Sequence, residues 1–192
     1  MEEQNQLWSA SRLYKQSTQS LVREHGFEDL RIEGELPTDL QGTLYRAGPF
    51  LYESFGQPYS HPFEADGGIM AARIGGGRAQ GAARIVQSEG LLEERAAGKP
   101  FYGSAAPWLK RIASALQQKV KNTANTSILS WQGRLFGLME GATPTEVDPE
   151  TLETLGATDL DGLIPQAFSA HPRHCPARKS IFNLGVSYGR QN

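Results

Sequence analysis

Short runs in which apolar residues alternate with polar or small ones fill most of this chain, and glycine or proline closes many of them. Alternation with a period of two puts apolar side chains on one face of a strand. Thr43-Leu44-Tyr45-Arg46 is one such run, set among Gly34, Pro37, Gly42, Gly48, Pro49, Gly56 and Pro58. Ile69-Met70-Ala71-Ala72-Arg73-Ile74 is another. Gly75-Gly76-Gly77 follows it and Ala82-Ala83-Arg84-Ile85-Val86 returns, so the spacing predicts a hairpin. Ser127-Ile128-Leu129-Ser130-Trp131, then Gln132-Gly133, then Arg134-Leu135-Phe136-Gly137-Leu138-Met139 predict a second hairpin. The stretch 142–165 is rich in turn residues and acids, and a last strand pair is expected at 166–170 and 180–186.

Two segments carry the helical period instead. Over 4–23, Leu7, Ala10, Tyr14 and Leu21 share a face, Gly26 is the expected stop, and His25 is placed to cap the helix near its C-terminal end. Over 107–121, Trp108, Leu109, Ile112, Leu116 and Val120 recur near helical spacing; Lys110, Arg111, Lys119 and Lys121 lie elsewhere, with no acidic residue. The residues thus describe an all-β chain with an N-terminal helix and one amphipathic helical insertion. Antiparallel strands at this spacing fit a propeller or a sandwich.

Composition narrows the setting. A chain of 192 residues can bury one real core. With 39% hydrophobic and 21% charged residues it reads as globular, and a net charge of −2 argues against nucleic acid as partner. Cys175 has no second cysteine to pair with, which fits a reducing compartment. The start, MEEQNQLWSASRLYKQ, lacks the basic residues and apolar run of a signal peptide, and no stretch reaches the ~18 apolar residues of a membrane span. The expected location is cytoplasmic, with peripheral membrane contact through the 107–121 helix.

The wording of the chain carries more than its pattern. Leu36-Pro37-Thr38-Asp39-Leu40-Gln41-Gly42-Thr43-Leu44-Tyr45-Arg46-Ala47-Gly48-Pro49 resembles the opening strand of carotenoid cleavage oxygenases, with Ala47 where that family typically has asparagine. His61-Pro62-Phe63-Glu64-Ala65-Asp66-Gly67-Gly68 is similar to the family's histidine, phenylalanine and Asp-Gly-Asp-Gly turn, departing at Glu64 and Ala65. Asn122-Thr123-Ala124-Asn125-Thr126, Trp131-Gln132-Gly133-Arg134-Leu135, Met139-Glu140-Gly141, the segment 149–156, Phe168-Ser169-Ala170-His171-Pro172 and Asn183-Leu184-Gly185 follow in the family's order. The resemblance covers about residues 27–189.

The resemblance implies a seven-bladed β-propeller whose axis holds one Fe(II) bound by four histidines. It divides the chain into a helical segment over 1–26 and a partial propeller over 27–192. At roughly 40–45 residues per blade the chain would make about four blades, about half of the ring. The implied reaction is cleavage of a conjugated double bond of a carotenoid or apocarotenoid by dioxygen, giving two carbonyl products. Imidazole suits iron(II), four imidazoles leave positions open for oxygen, and each needs its second ring nitrogen held, often by a carboxylate. By motif, His171 matches the family's first iron ligand. Glu140 matches a glutamate that orients a different iron-binding histidine, expected beyond residue 192. With one ligand of four, the chain alone is expected to be inactive.

Trp108, Leu109, Ile112 and Leu116 are the residues expected to meet a membrane, their helix lying in the interface with its cations near anionic headgroups. The other histidines invite structural readings. His61 falls in a turn, and His174 with Cys175 lies between Pro172 and Pro176, which favours extended backbone over one helical metal-binding face. Gly75-Gly76-Gly77 lacks phosphate-loop spacing. Two other readings remain: a catalytically dead partial propeller acting as a binding or scaffold protein, and an unrelated β-sandwich binding domain, which would show seven or more strands in two packed sheets.

Overall fold

The glycine run turns the chain as its spacing predicts. Strands β5 (Asp66–Gly75) and β6 (Arg78–Ile85) pair antiparallel from Gly68↔Ile85 to Gly75↔Arg78. The two turn residues, Gly76 and Gly77, have φ of 57° and 71°, the doubly positive geometry of a type I′ hairpin. Strands β7 (Ser127–Trp131) and β8 (Arg134–Leu138) make the second expected hairpin, with Gln132 and Gly133 at φ 52° and 76°. The computed structural model describes residues 18–109, 112, 120–164 and 167–185.

Each hairpin grows into a four-stranded antiparallel sheet. The first runs in the order β1 (His25–Asp29), β6, β5, β2 (Gly42–Leu51). The short hairpin β3 (Glu53–Ser54) with β4 (Gln57–Pro58) leaves its end. The second is a meander of β7, β8, β9 (Thr145–Val147) and β10 (Thr154–Ala157). A two-stranded sheet of β11 (Arg173–Cys175) and β12 (Ser180–Phe182) follows. This is the repeat of a propeller: sequential antiparallel sheets stacked side by side, each face apolar toward its neighbour.

Alternation along β8 shows how one strand serves two interfaces. Leu135 points into a cluster with Ile69, Ala71, Ala82, Val86 and Val147, between the first sheet and the second. Phe136 and Leu138 point the other way, into a cluster with Ile164, Phe168 and Ala170. The β9–β10 turn is pinned to the first sheet. Tyr45 donates to the Pro149 carbonyl at 3.1 Å, and Arg84 Nε donates to the Thr151 carbonyl at 2.9 Å. Asp148 holds that turn by accepting from the backbone of Glu150 and Thr151, which keeps its carboxyl below the usual range. Gly67 lets two segments touch: a Cβ there would lie 2.4 Å from the backbone oxygens of Thr123 and Ala124.

Several expectations need correction. Residues 18–23, expected to finish the first helix, are not helical; the Leu21 amide donates to the Phe50 carbonyl, and His25 and Gly26 open β1 instead of capping and stopping a helix. Residues 1–17 lie outside the described residues. The stretch 142–165 is not only turns, since it holds β9 and β10, too short and polar to show alternation. Among the described residues the last pair is 173–175 with 180–182, and Phe168 makes an isolated bridge to Ala142; residues 166 and 186 of the expected strands lie outside the described residues. The described residues build two four-stranded sheets and the start of a third where length suggested about four blades. Among the described residues, the connection 86–126 adds no strand. It contains a helix, α1 (Glu89–Ala97), that no apolar periodicity announced. Ser88 caps its start by accepting from the Leu91 amide, and left-handed Gly98 ends it.

Candidate functional site

The isolated bridge between Ala142 and Phe168 brings the two expected site residues together. Phe168 donates to the Ala142 carbonyl at 3.0 Å. Glu140 stands two residues before one partner and His171 three residues after the other, so the ends of both segments meet. His171 Nε2 lies 3.4 Å from Glu140 Oε1, and the two side chains are 67% and 56% exposed. Glu140, expected to serve a histidine beyond residue 192, thus faces His171. It sits in the turn after β8, where Gly141 has φ of 80°. Ala170, just before His171, is buried, and its carbonyl accepts from the Ser127 hydroxyl at the head of β7.

The other histidines have structural partners. His61 Nδ1 accepts from the Phe63 amide at 3.2 Å and caps a short 3-10 turn over Pro62–Glu64. His25 Nδ1 lies 2.9 Å from the Gly26 carbonyl, and the His174 ring meets Trp131 edge-on at 5.1 Å. Among the described residues no three His, Cys, Asp or Glu gather as a metal site. The donor set therefore fits a metal as one exposed imidazole with a carboxylate beside it, a share of a site and not a whole one.

Trp108, Leu109 and Ile112 are helical, as expected, and exposed: 66%, 63% and 49%. Val120 is 75% exposed. Leu116, Lys110, Arg111 and Lys119 lie outside the described residues. Lys121 is the clear departure. Expected on the polar side of that helix, it is buried between two carboxylates, with Nζ 2.8 Å from Asp66 Oδ2 and 2.7 Å from Glu94 Oε2. Glu94 Oε1 accepts from the amides of Phe101 and Tyr102 at 2.7 and 3.0 Å. One buried carboxylate therefore closes the base of the excursion 103–120. Burial, with the nearby charges of Asp66 and Glu94, pushes the Tyr59 hydroxyl well above the tyrosine range. Burial also raises the Asp66 carboxyl, though Lys121 opposes it. Nothing in the sequence pattern marked Glu94 or Lys121 for this role. Asp66 was visible only as part of its glycine motif. Beside the cluster runs a cleft of about 380 Å³, lined by Tyr59, Phe63, Phe101, Val120, Lys121 and Met139, the residue before Glu140.

The comparisons agree with this architecture. The family model described as retinal pigment epithelial membrane protein matches residues 17–192, and the chain belongs to that family. It is 44% identical over 163 residues to an apocarotenoid-15,15'-oxygenase of Synechocystis sp., covering 80% of this chain and 32% of that protein. It is 32% identical over 175 residues to carotenoid cleavage oxygenase 1 of Neurospora crassa, covering 88% of this chain and 33% of that protein. Resveratrol cleavage oxygenase 1 of Aspergillus fumigatus is 33% identical over 170 residues, covering 84% and 32%. Among solved structures, cobalt-substituted Synechocystis apocarotenoid oxygenase superposes with a TM-score of 0.75 at 38% identity, covering 88% of this chain and 35% of that one. The fold is accordingly part of a β-propeller of carotenoid oxygenase type. The chain spans about a third of the length of the relatives it matches.

Proposed function

We propose that this chain is the N-terminal portion of a non-haem iron(II) dioxygenase that cleaves a conjugated double bond of an apocarotenoid or carotenoid to two carbonyl products. The observation that carries this reading is His171 beside Glu140 on a propeller scaffold 44% identical to an apocarotenoid oxygenase. The identity of 44% to the apocarotenoid enzyme, against 32% and 33% to the carotenoid and resveratrol enzymes, supports an apocarotenoid first. His171 would give one imidazole to the metal, and further histidines would come from sequence beyond residue 192. Bound there, iron(II) would supply the place where dioxygen is activated. This chain's part is to hold the His171 ring, keep Glu140 next to it, and offer the apolar cleft beside Met139 to a polyene.

A ligand set of one implies that residues 1–192 alone hold iron weakly and turn nothing over. The test reconstitutes the purified 192-residue chain and the product of its full reading frame with Fe(II) under argon, desalts both, and measures iron and apocarotenal cleavage. Iron retention and cleavage are expected only in the longer protein. Stoichiometric iron in the short chain would overturn the shared-site reading, and no cleavage by the longer protein would overturn the activity.

Membrane contact through the 107–121 segment belongs to the same reading, because carotenoids do not dissolve in water. Trp108, Leu109 and Ile112 are held out to solvent above a base locked by Glu94, as an interfacial anchor requires. Co-sedimentation with anionic liposomes should fall several-fold in a folded Trp108→Ser, Leu109→Ser, Ile112→Ser variant of the full-length protein. Equal sedimentation would exclude this segment as the anchor.

A further inference from the structure

The β11–β12 ladder stops at Arg173↔Phe182. The next residue toward the site is Pro172, which has no N–H and cannot extend the ladder. His171 therefore sits on an arch that the ladder does not hold, tied on its other side by the Ser127 hydroxyl at the Ala170 carbonyl. The structure supplies a substitute for the missing pairing. Asn183, the first residue after β12, turns its carboxamide onto the backbone of Ser169: Oδ1 accepts from the Ser169 amide at 2.8 Å, and Nδ2 donates to the Ser169 carbonyl at 3.0 Å. A carboxamide carries the same donor and acceptor as a peptide group, so this contact resumes the pairing beyond the proline. Ser169 in turn uses its hydroxyl to accept from the His171 amide at 3.0 Å. Gly185 completes the device. A Cβ there would lie 2.1 Å from the Ala167 carbonyl oxygen, so only glycine lets the chain after β12 pass so close to the segment that leads into the site.

We infer that Asn183 is a positioning residue for His171, acting through Ser169 to fix the arch that presents the imidazole. The inference rests on His171 being a metal ligand. The chain Asn183–Ser169–His171 holds the backbone of the ligand, where Glu140 addresses its ring. Partners behind a ligand that fix its orientation typically change metal affinity or activity by ~10–100-fold when removed. Asn183→Leu keeps the side chain's bulk and removes both hydrogen bonds. Ser169→Ala leaves the Asn183 contacts intact and removes only the acceptor for the His171 amide.

The experiment uses the full-length protein loaded with Co(II), read by competition with a chelator and by the d–d absorption bands, with circular dichroism to confirm folding. Asn183→Leu should weaken Co(II) binding by about 10–100-fold and shift the bands, and Ser169→Ala should do the same to a smaller degree. A merely structural role for Asn183 would lower the melting temperature and leave affinity and spectrum of the folded protein unchanged; that result overturns the inference. If Asn183→Leu does not fold, Ser169→Ala decides: wild-type affinity and bands overturn it, weaker binding with shifted bands supports it. His171→Ala run in parallel separates the two failures. Wild-type Co(II) binding by His171→Ala removes the ligand reading and the inference with it, whereas loss of binding in His171→Ala beside unchanged Asn183→Leu and Ser169→Ala removes the inference alone.

Discussion

Replacing Lys121 with methionine is expected to destabilise the fold by about 3–5 kcal/mol, the range for removing one partner of a buried ion pair. Lys121 is 5% exposed, and its partners Asp66 and Glu94 are 2% and 0% exposed. Methionine fills a similar volume, so the loss is electrostatic: two carboxylates would stay buried with their common cation gone. The Phe101 and Tyr102 amides still serve Glu94, but among the described side chains Asp66 would keep the Tyr59 hydroxyl alone, 3.4 Å away. The sign of the pH response follows from Asp66. Its carboxyl is raised in the fold, chiefly by burial, so the folded chain takes up a proton at a higher pH than the unfolded one. The penalty for holding that charge is therefore present at neutral pH and relieved as pH falls toward the ordinary carboxylate range. Lys121→Met should sharpen this and regain part of its stability on acidification. Urea midpoints of wild type and variant at neutral and mildly acidic pH provide the check, and equal midpoints at neutral pH would show that the cluster is not what locks the base of the 103–120 excursion. Removing all three charges together, as Lys121→Met with Asp66→Asn and Glu94→Gln, should be milder than Lys121→Met alone, because no uncompensated charge is left.

The largest effect on activity is expected at His171. In the full-length protein, His171→Ala should remove bound iron and lower turnover of an apocarotenal by more than the ~10–100-fold typical of residues standing behind a ligand. Glu140→Gln should fall inside that range, since glutamine still presents an oxygen near the ring and gives up only the charge. The two variants thus separate a direct ligand from its neighbour. Both side chains are more than half exposed, so neither substitution should disturb packing. Loss of a bound metal by itself withdraws stabilisation from the fold, so melting temperatures are compared with the metal removed from wild type and variants alike, and equal metal-free values are part of the expected result. Wild-type iron content and turnover in His171→Ala would show that another residue supplies the ligand.

The elements that could be read from the chain are those specified by neighbouring residues. Gly76-Gly77 takes positive φ at both turn positions without steric cost, Gly133 does so at one and carries Gln132 with it, and apolar residues flank both turns in step, so each hairpin is set by neighbouring residues. Ser88 and Gly98 also cap α1 locally, yet the helix was not foreseen. Its buried side chains are Leu91 and Glu94, while Leu92 faces solvent, so the apolar stripe on which a helix is recognised is missing. The strands β9 and β10 were hidden for a related reason: three or four residues, with Glu146 in the middle of β9, are too few to display a period of two.

His171 and Glu140 were each marked by the wording around them, and their family followed from many such phrases in one order. Their meeting was not legible. It depends on Phe168 bridging Ala142, a contact chosen by how Leu160, Ile164, Phe168 and Ala170 pack with Phe136 and Leu138 of the second sheet. Lys121 shows the same limit in energetic form. In sequence it is one more cation on a basic helix, and a lone lysine is normally solvated. Only the fold brings Asp66, 55 positions away, and Glu94, 27 away, within 2.8 Å of its ammonium group. The sequence by itself thus determined the all-β class, the two tight hairpins and the family. The tertiary structure alone decided the strand partners beyond those two hairpins, the buried charge cluster and the geometry around His171. Turn and strand preferences act between adjacent residues. A buried ion pair or a positioned ligand exists only when distant segments exclude water from the same small volume.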